Sequence, residues 1–75
     1  VNINNMEKLF DCIIGINRND AQNFVESIMY NKEFYYKMRV VMIDRNPVII
    51  THDFRVDRLN VEVQDGKISK IHGIG

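Results

Sequence analysis

The stretch that joins two strand-like segments constrains this chain more than any other. Lys37 to Ile43 is rich in β-branched residues and Met and reads as a buried strand. Asp57 to Gln64 alternates, with Leu59, Val61 and Val63 on one face and Arg58, Asn60 and Glu62 on the other. Between them lies Asp44 to Val56, which opens on the turn cluster Asp44-Arg45-Asn46-Pro47. An antiparallel hairpin closes with about two to five residues, whereas a parallel pair needs roughly a dozen or more. The two strands are therefore expected to run parallel, joined by a helix-free crossover around one end or edge of the sheet. Long irregular connections in small domains usually serve a function.

The other elements fit around that pair. Leu9, Phe10, Cys12, Ile13 and Ile14 form a short apolar segment closed by Gly15, with Cys12 expected as a small buried apolar residue. Asn17 suits a helix N-cap, and Asp20 places a carboxylate in the first turn. Ala21, Phe24, Val25, Ile28 and Met29 then make one apolar helical face that should end near Asn31. Phe34, Tyr35 and Tyr36 are expected to close the core after the helix. Asp65-Gly66 signals a type I′ turn that folds Lys67 to Ile71 back antiparallel. The fold class is α+β: one helix packed on a small mixed sheet with a central parallel strand pair and a long exposed crossover loop. Residues 1–75 form one domain, with Val1 to Lys8 read as a loosely held polar arm.

Composition removes several classes of function. Ten basic and ten acidic residues give a formal net charge of +0, so no electrostatic case exists for nucleic acid or an anionic membrane as partner. No apolar run is long enough for a bilayer-spanning helix. A single cysteine, Cys12, rules out an intrachain disulfide, so packing and hydrogen bonds must hold the shape. His52, His72 and Cys12 show no metal-ligand spacing. Ser27 and Ser69 are not spaced with a base and an orienting acid, and no glycine-rich phosphate loop is present. An enzyme, a cofactor and a metal are therefore not expected. The chain starts at Val1 rather than Met, as a processed or trimmed chain does, and its compartment, secreted or cytoplasmic, stays open.

The centre of the crossover is Thr51-His52-Asp53. Arg58 and Asn60 face away from the apolar side of their strand and can point back under it. A charge-assisted hydrogen bond from Arg58 to Asp53, or to the Thr51 hydroxyl, would pin the loop from within. The plain alternative for Arg58 is a solvated strand residue, and for His52 an incidental loop histidine.

Thr51-His52-Asp53-Phe54-Arg55-Val56-Asp57-Arg58-Leu59 resembles the reactive loop and following strand of the potato inhibitor I family, the eglin and barley chymotrypsin inhibitor type. Phe10 to Gly15 resembles that family's Trp-Pro-Glu-Leu-Val-Gly opening with Phe10 for Trp, Ala21 falls at its helix alanine, and Gly73-Ile74-Gly75 resembles its Arg-Val-Gly ending. The resemblance implies a serine protease inhibitor whose scissile bond is His52–Asp53. His52 would enter the primary specificity pocket, with Ile50, Thr51, Phe54 and Arg55 touching the protease. Arg58 would brace the loop near Gly75. Subtilisin-like or chymotrypsin-like enzymes would be the partners, and the free inhibitor would be a monomer.

This chain departs from the family pattern in several places. His52 stands where the family more often has Leu or Met, and Asn60 replaces a second bracing arginine. His72 and Gly73 replace a proline and a basic residue, and the segment from Ile43 to Thr51 is one residue longer. These departures imply a looser brace and a weaker or more slowly cleaved inhibitor. They also keep a second class in view, a non-inhibitory binding or assembly module that has the fold without a competent loop. A third reading is a scaffold that self-associates through a strand edge or the aromatic cluster.

Overall fold

The computed structural model describes residues 9–75, and the arm expected over Val1 to Lys8 lies outside them. A 3-10 turn at Asp11–Ile13 is followed by helix α1 at Arg18–Val25. Four strands follow: β1 at Lys37–Ile43, β2 at Asn46–Pro47, β3 at Arg58–Gln64 and β4 at Lys67–Ile74. They form one sheet in the order β2-β1-β3-β4. β1 and β3 lie parallel at its centre, while β2 and β4 are antiparallel edges. The architecture is α+β with the central parallel pair expected from the length of the crossover.

The N-terminal segment buries Phe10 and Ile13. These two stand one 3-10 turn apart and so share a side. Cys12 lies between them and faces outward. It is exposed, with its Sγ 3.6 Å from the Leu9 carbonyl. The expected burial of Cys12 fails because the turn has only one inward side. Gly15 then takes a φ of +85°, which a side chain would strain. Its N–H donates to the Ile68 carbonyl at 2.7 Å, tying this segment to β4.

Helix α1 starts where expected and stops early. The Asn17 side chain accepts from the Asn19 N–H at 2.8 Å, and Asp20 sits in the first turn. The helix ends at Val25 rather than near Asn31. Beyond it the chain makes a tight reversal in which the Tyr36 N–H donates to the Ile28 carbonyl at 2.9 Å. The Asn31 side chain accepts from the Glu33 and Phe34 N–H groups, at 2.8 and 2.9 Å, and so closes this turn instead of a helix. Ala21 and Val25 are buried and Ile28 is partly so, but Phe24 and Met29 are exposed. A helix this short turns only one narrow side to the sheet, that of Ala21 and Val25. Of the aromatic triplet, Tyr36 alone closes the core, edge-on to Phe10 at 5.1 Å and to Tyr30 at 5.5 Å. Phe34 and Tyr35 remain exposed.

The core joins these residues to Leu59, Val61 and Val63 of β3 and to Ile68 of β4. β1 is less buried than its composition suggests. Met38 and Val40 pack against the core only in part, and no residue of β1 is fully covered. A bulge between Val40 and Met42 shifts its register against β3. Asp65 and Gly66 both have positive φ, as a type I′ turn requires, and β4 continues to Ile74, past the expected Ile71.

The turn cluster after β1 does something that the sequence did not announce. Asp44 and Arg45 adopt positive φ values of 48° and 69°, which folds Asn46–Pro47 back along β1. The Asp44 carboxylate also accepts from the Asp65 N–H at 2.8 Å, coupling the two turns. The chain thus reverses before it crosses. It descends the outer edge of β1 and reaches β3 at the end where β1 began.

Candidate functional site

The crossover is fastened at both ends by its backbone and left free between. The Val48 N–H donates to the Val41 carbonyl at 3.0 Å, and the Lys37 N–H donates to the Asp57 carbonyl at 2.8 Å. Among the described residues, no backbone–backbone hydrogen bond involves residues 49–56. Residues 51–56 are exposed, Ile50 is half-buried, and Ile49 extends fully into solvent. The His52–Asp53 peptide is thus neither covered nor a rung of the sheet. Phe54, at 70% exposure, is held out at the same surface.

Side chains supply the order that the backbone does not. Arg58, on the polar face of β3, donates from Nη2 to the Asp53 carbonyl at 2.8 Å. It donates from Nε to the Gly75 main-chain oxygen at 3.0 Å. Its guanidinium also lies 3.5 Å from the Asp53 carboxylate. The Thr51 hydroxyl donates to that same carboxylate. Of the two contacts open to Arg58 from sequence, it makes the one to Asp53.

Asn60, two residues on and on the same face, braces indirectly. Its Oδ1 accepts from Arg39 Nε at 2.9 Å, and Arg39 Nη1 donates to the Thr51 carbonyl at 3.2 Å. Arg39 Nη1 also stands 3.9 Å from Asp53 Oδ1. The parallel register makes this possible, because Arg39 pairs directly with Asn60 across β1 and β3. Gly75 completes the arrangement. A Cβ there would stand only 3.0 Å from Asn60 Nδ2, so the missing side chain permits this close packing. Thr51, Asp53, Arg58, Gly75, Asn60 and Arg39 thereby form a connected ring beneath the exposed bond. No local sequence pattern marks Arg39. The signal that could have found it is the β1/β3 register, which sets it opposite Asn60. Asn60 stands where the resemblance implies a second bracing arginine, and a guanidinium reaches the same place from β1 instead.

Both guanidinium groups of the ring face the one carboxylate of Asp53. The Thr51 hydroxyl, the residue's own backbone N–H and the Arg58 guanidinium together lower the Asp53 carboxyl to about 2 from an ordinary 3.8. Arg55 does not brace the bond itself. It forms a two-pronged pair with Asp57, at 3.1 and 3.2 Å, which lowers the Asp57 carboxyl. That pair stiffens the loop's exit.

Beside the exit lies an open groove of about 460 Å³. Tyr30, Asn31 and Phe34 wall one side and Phe54 to Asp57 the other. His72, the second histidine, makes a separate contact: its Nε2 lies 2.6 Å from Glu62 Oε2 on the paired strands β3 and β4. Among the described residues, no group of three or more His, Cys, Asp or Glu could hold a metal ion.

The arrangement can present a peptide bond held from below by side-chain contacts without covering it. Every residue expected from the sequence to touch or brace the bond lies at this end of the molecule: Ile50, Thr51, His52, Asp53, Phe54 and Arg55 along the loop, with Arg58, Asn60 and Gly75 below. No family model matches the chain, and neither a curated protein nor a solved structure is significantly similar to it.

Proposed function

We propose that this chain is a serine protease inhibitor of the potato inhibitor I type, acting by substrate-like insertion of the loop around His52–Asp53. The observation that carries the reading is an exposed, unpaired peptide bond whose neighbouring carbonyls are fastened to the sheet below. A flexible peptide loses conformational freedom on entering a protease cleft, whereas this loop has lost it on folding. The extended segment would pair with the cleft as an added strand, with His52 in the primary pocket. Interfaces of this kind bury roughly 1,600 Å² in total. The protease serine would attack the His52 carbonyl. The amine of Asp53 would stay close, so that resealing competes with hydrolysis through proximity.

Titration against subtilisin-like, chymotrypsin-like and trypsin-like proteases tests this. The expected result is stoichiometric, persistent inhibition of at least one class, with the His52–Asp53 bond cut slowly. His52→Leu should change which enzyme is blocked most strongly, because only that side chain enters the primary pocket. Rapid, complete cleavage of the loop without inhibition would sink the reading and favour a non-inhibitory binding module. That alternative rests on Asn60 in place of a second arginine, and the Arg39–Asn60 contact weakens its ground.

A further inference from the structure

The two carbonyls gripped by arginine flank the reactive peptide symmetrically. Thr51 O belongs to the peptide immediately before His52, and Asp53 O to the peptide immediately after Asp53. Arg39 holds the first at 3.2 Å and Arg58 the second at 2.8 Å. Each guanidinium uses its Nε on the scaffold, Arg39 on Asn60 and Arg58 on Gly75, and an Nη on the loop. Both side chains are mostly covered, at 19% and 11% exposure. The fork of an arginine suits this double duty because its donors diverge in a fixed plane.

We infer that Arg39 is a positioning residue that holds the acyl side of the reactive bond while Arg58 holds the leaving side. The inference rests on the proposed inhibitory function and deepens it. When the serine hydroxyl adds to the His52 carbonyl carbon, its proton passes through the protease's base to the Asp53 nitrogen as the C–N bond breaks. The result is a His52 ester on the serine and a free Asp53 amine. Resealing is the reverse: the amine attacks the ester, the C–N bond forms again, and the proton returns to the serine oxygen. The amine must stay in line with the ester carbonyl for this to happen. Arg58 alone fixes the amine to the scaffold but leaves the ester half held only from Val48 and by the Thr51 hydroxyl on the Asp53 carboxylate, a contact that moves with the leaving half. With Arg39 present, both halves are referred to the same pair of strands.

The two arginines should therefore fail in different ways, which an effect on overall stability would not produce. In the free protein, Arg39→Met keeps the side-chain stem but removes both donors. Backbone 15N relaxation should then show fast motion gained at Ile50, Thr51 and His52 and much less at Phe54. Arg58→Met should give the reverse pattern, and Lys37→Met, exposed on the same strand, should give neither. With a protease that the wild type inhibits, Arg39→Met should raise the equilibrium ratio of cleaved to intact inhibitor about tenfold or more, the scale expected for a lost hydrogen bond from a charged donor. Arg39→Lys retains the charge but not the fork and should fall between, which also serves if the Met variant folds poorly. Unchanged relaxation at residues 50–52 in Arg39→Met would overturn the inference whatever any protease does. If those residues loosen but the wild type inhibits nothing, the grip on Thr51 stands and the inhibitor reading falls.

Discussion

The two faces of β3 are built on different physics. Leu59, Val61 and Val63 point into the core and are almost wholly buried. Arg58 and Asn60 point the other way, remain half-buried, and hold the loop by directed hydrogen bonds. Apolar burial is roughly proportional to area and indifferent to direction. A guanidinium grip is worth something only when its acceptors stand at the right distance and angle. One strand therefore stabilises the fold with one face and shapes a surface peptide with the other. A one-residue slip in register would exchange the two roles.

That contrast is broken most directly from the core side. Leu59→Ala should lower unfolding stability by about 2–5 kcal/mol, through lost burial and the cavity left behind. Urea titration measures it, and a loss under about 1 kcal/mol would mean that the apolar face matters less than its burial suggests. Arg58→Met should act in the opposite proportion. Charged hydrogen bonds contribute about 1.5–3 kcal/mol each in mutational series, and here their effect should appear mainly as loop release. Cleavage at His52–Asp53 should accelerate about ten- to a hundredfold, with a smaller fall in urea stability than for Leu59→Ala. Equal effects on stability and cleavage in both variants would erase the distinction between the faces.

The smallest effect expected is that of acid. Asp53 titrates at about 2 in the fold against an ordinary 3.8. Because the folded value is the lower one, the carboxylate's contribution is complete above about pH 4 and is lost as pH falls through about 2. Loop amides should therefore become mobile, or the loop more cleavable by an acid-active protease, between those limits. Asp53→Asn should abolish that step. The Asp57 carboxyl is also lowered, so a residual step in the Asn variant would belong to the Arg55–Asp57 pair. An unchanged step would show that Asp53 is not part of the brace.

The failures of sequence reading and its successes have separate physical sources. The alternation of Leu59, Val61 and Val63, the Asn17 cap and the Asp65-Gly66 turn were legible because each is a local or periodic preference of the chain. The length of the crossover made the parallel pair legible too, since it exceeds what a hairpin uses and meets what a parallel connection needs. Cys12, Phe24 and Met29 are apolar and suit a core, yet a one-sided turn and a short helix leave them exposed. The apolar periodicity runs past the end of α1 at Val25 because the Asn31 turn competes successfully with continued helix.

Sequence by itself thus determined the α+β class, the alternating faces of β3, and Arg58 as the residue beneath the loop. Only tertiary structure decided that Asp44-Arg45 folds the chain back along β1 and that Arg39 comes to lie beside Asn60. The reason is range. Periodicity and turn chemistry act over a few residues, whereas the Arg39–Asn60 contact joins strands separated by the whole crossover and exists only once their register is fixed.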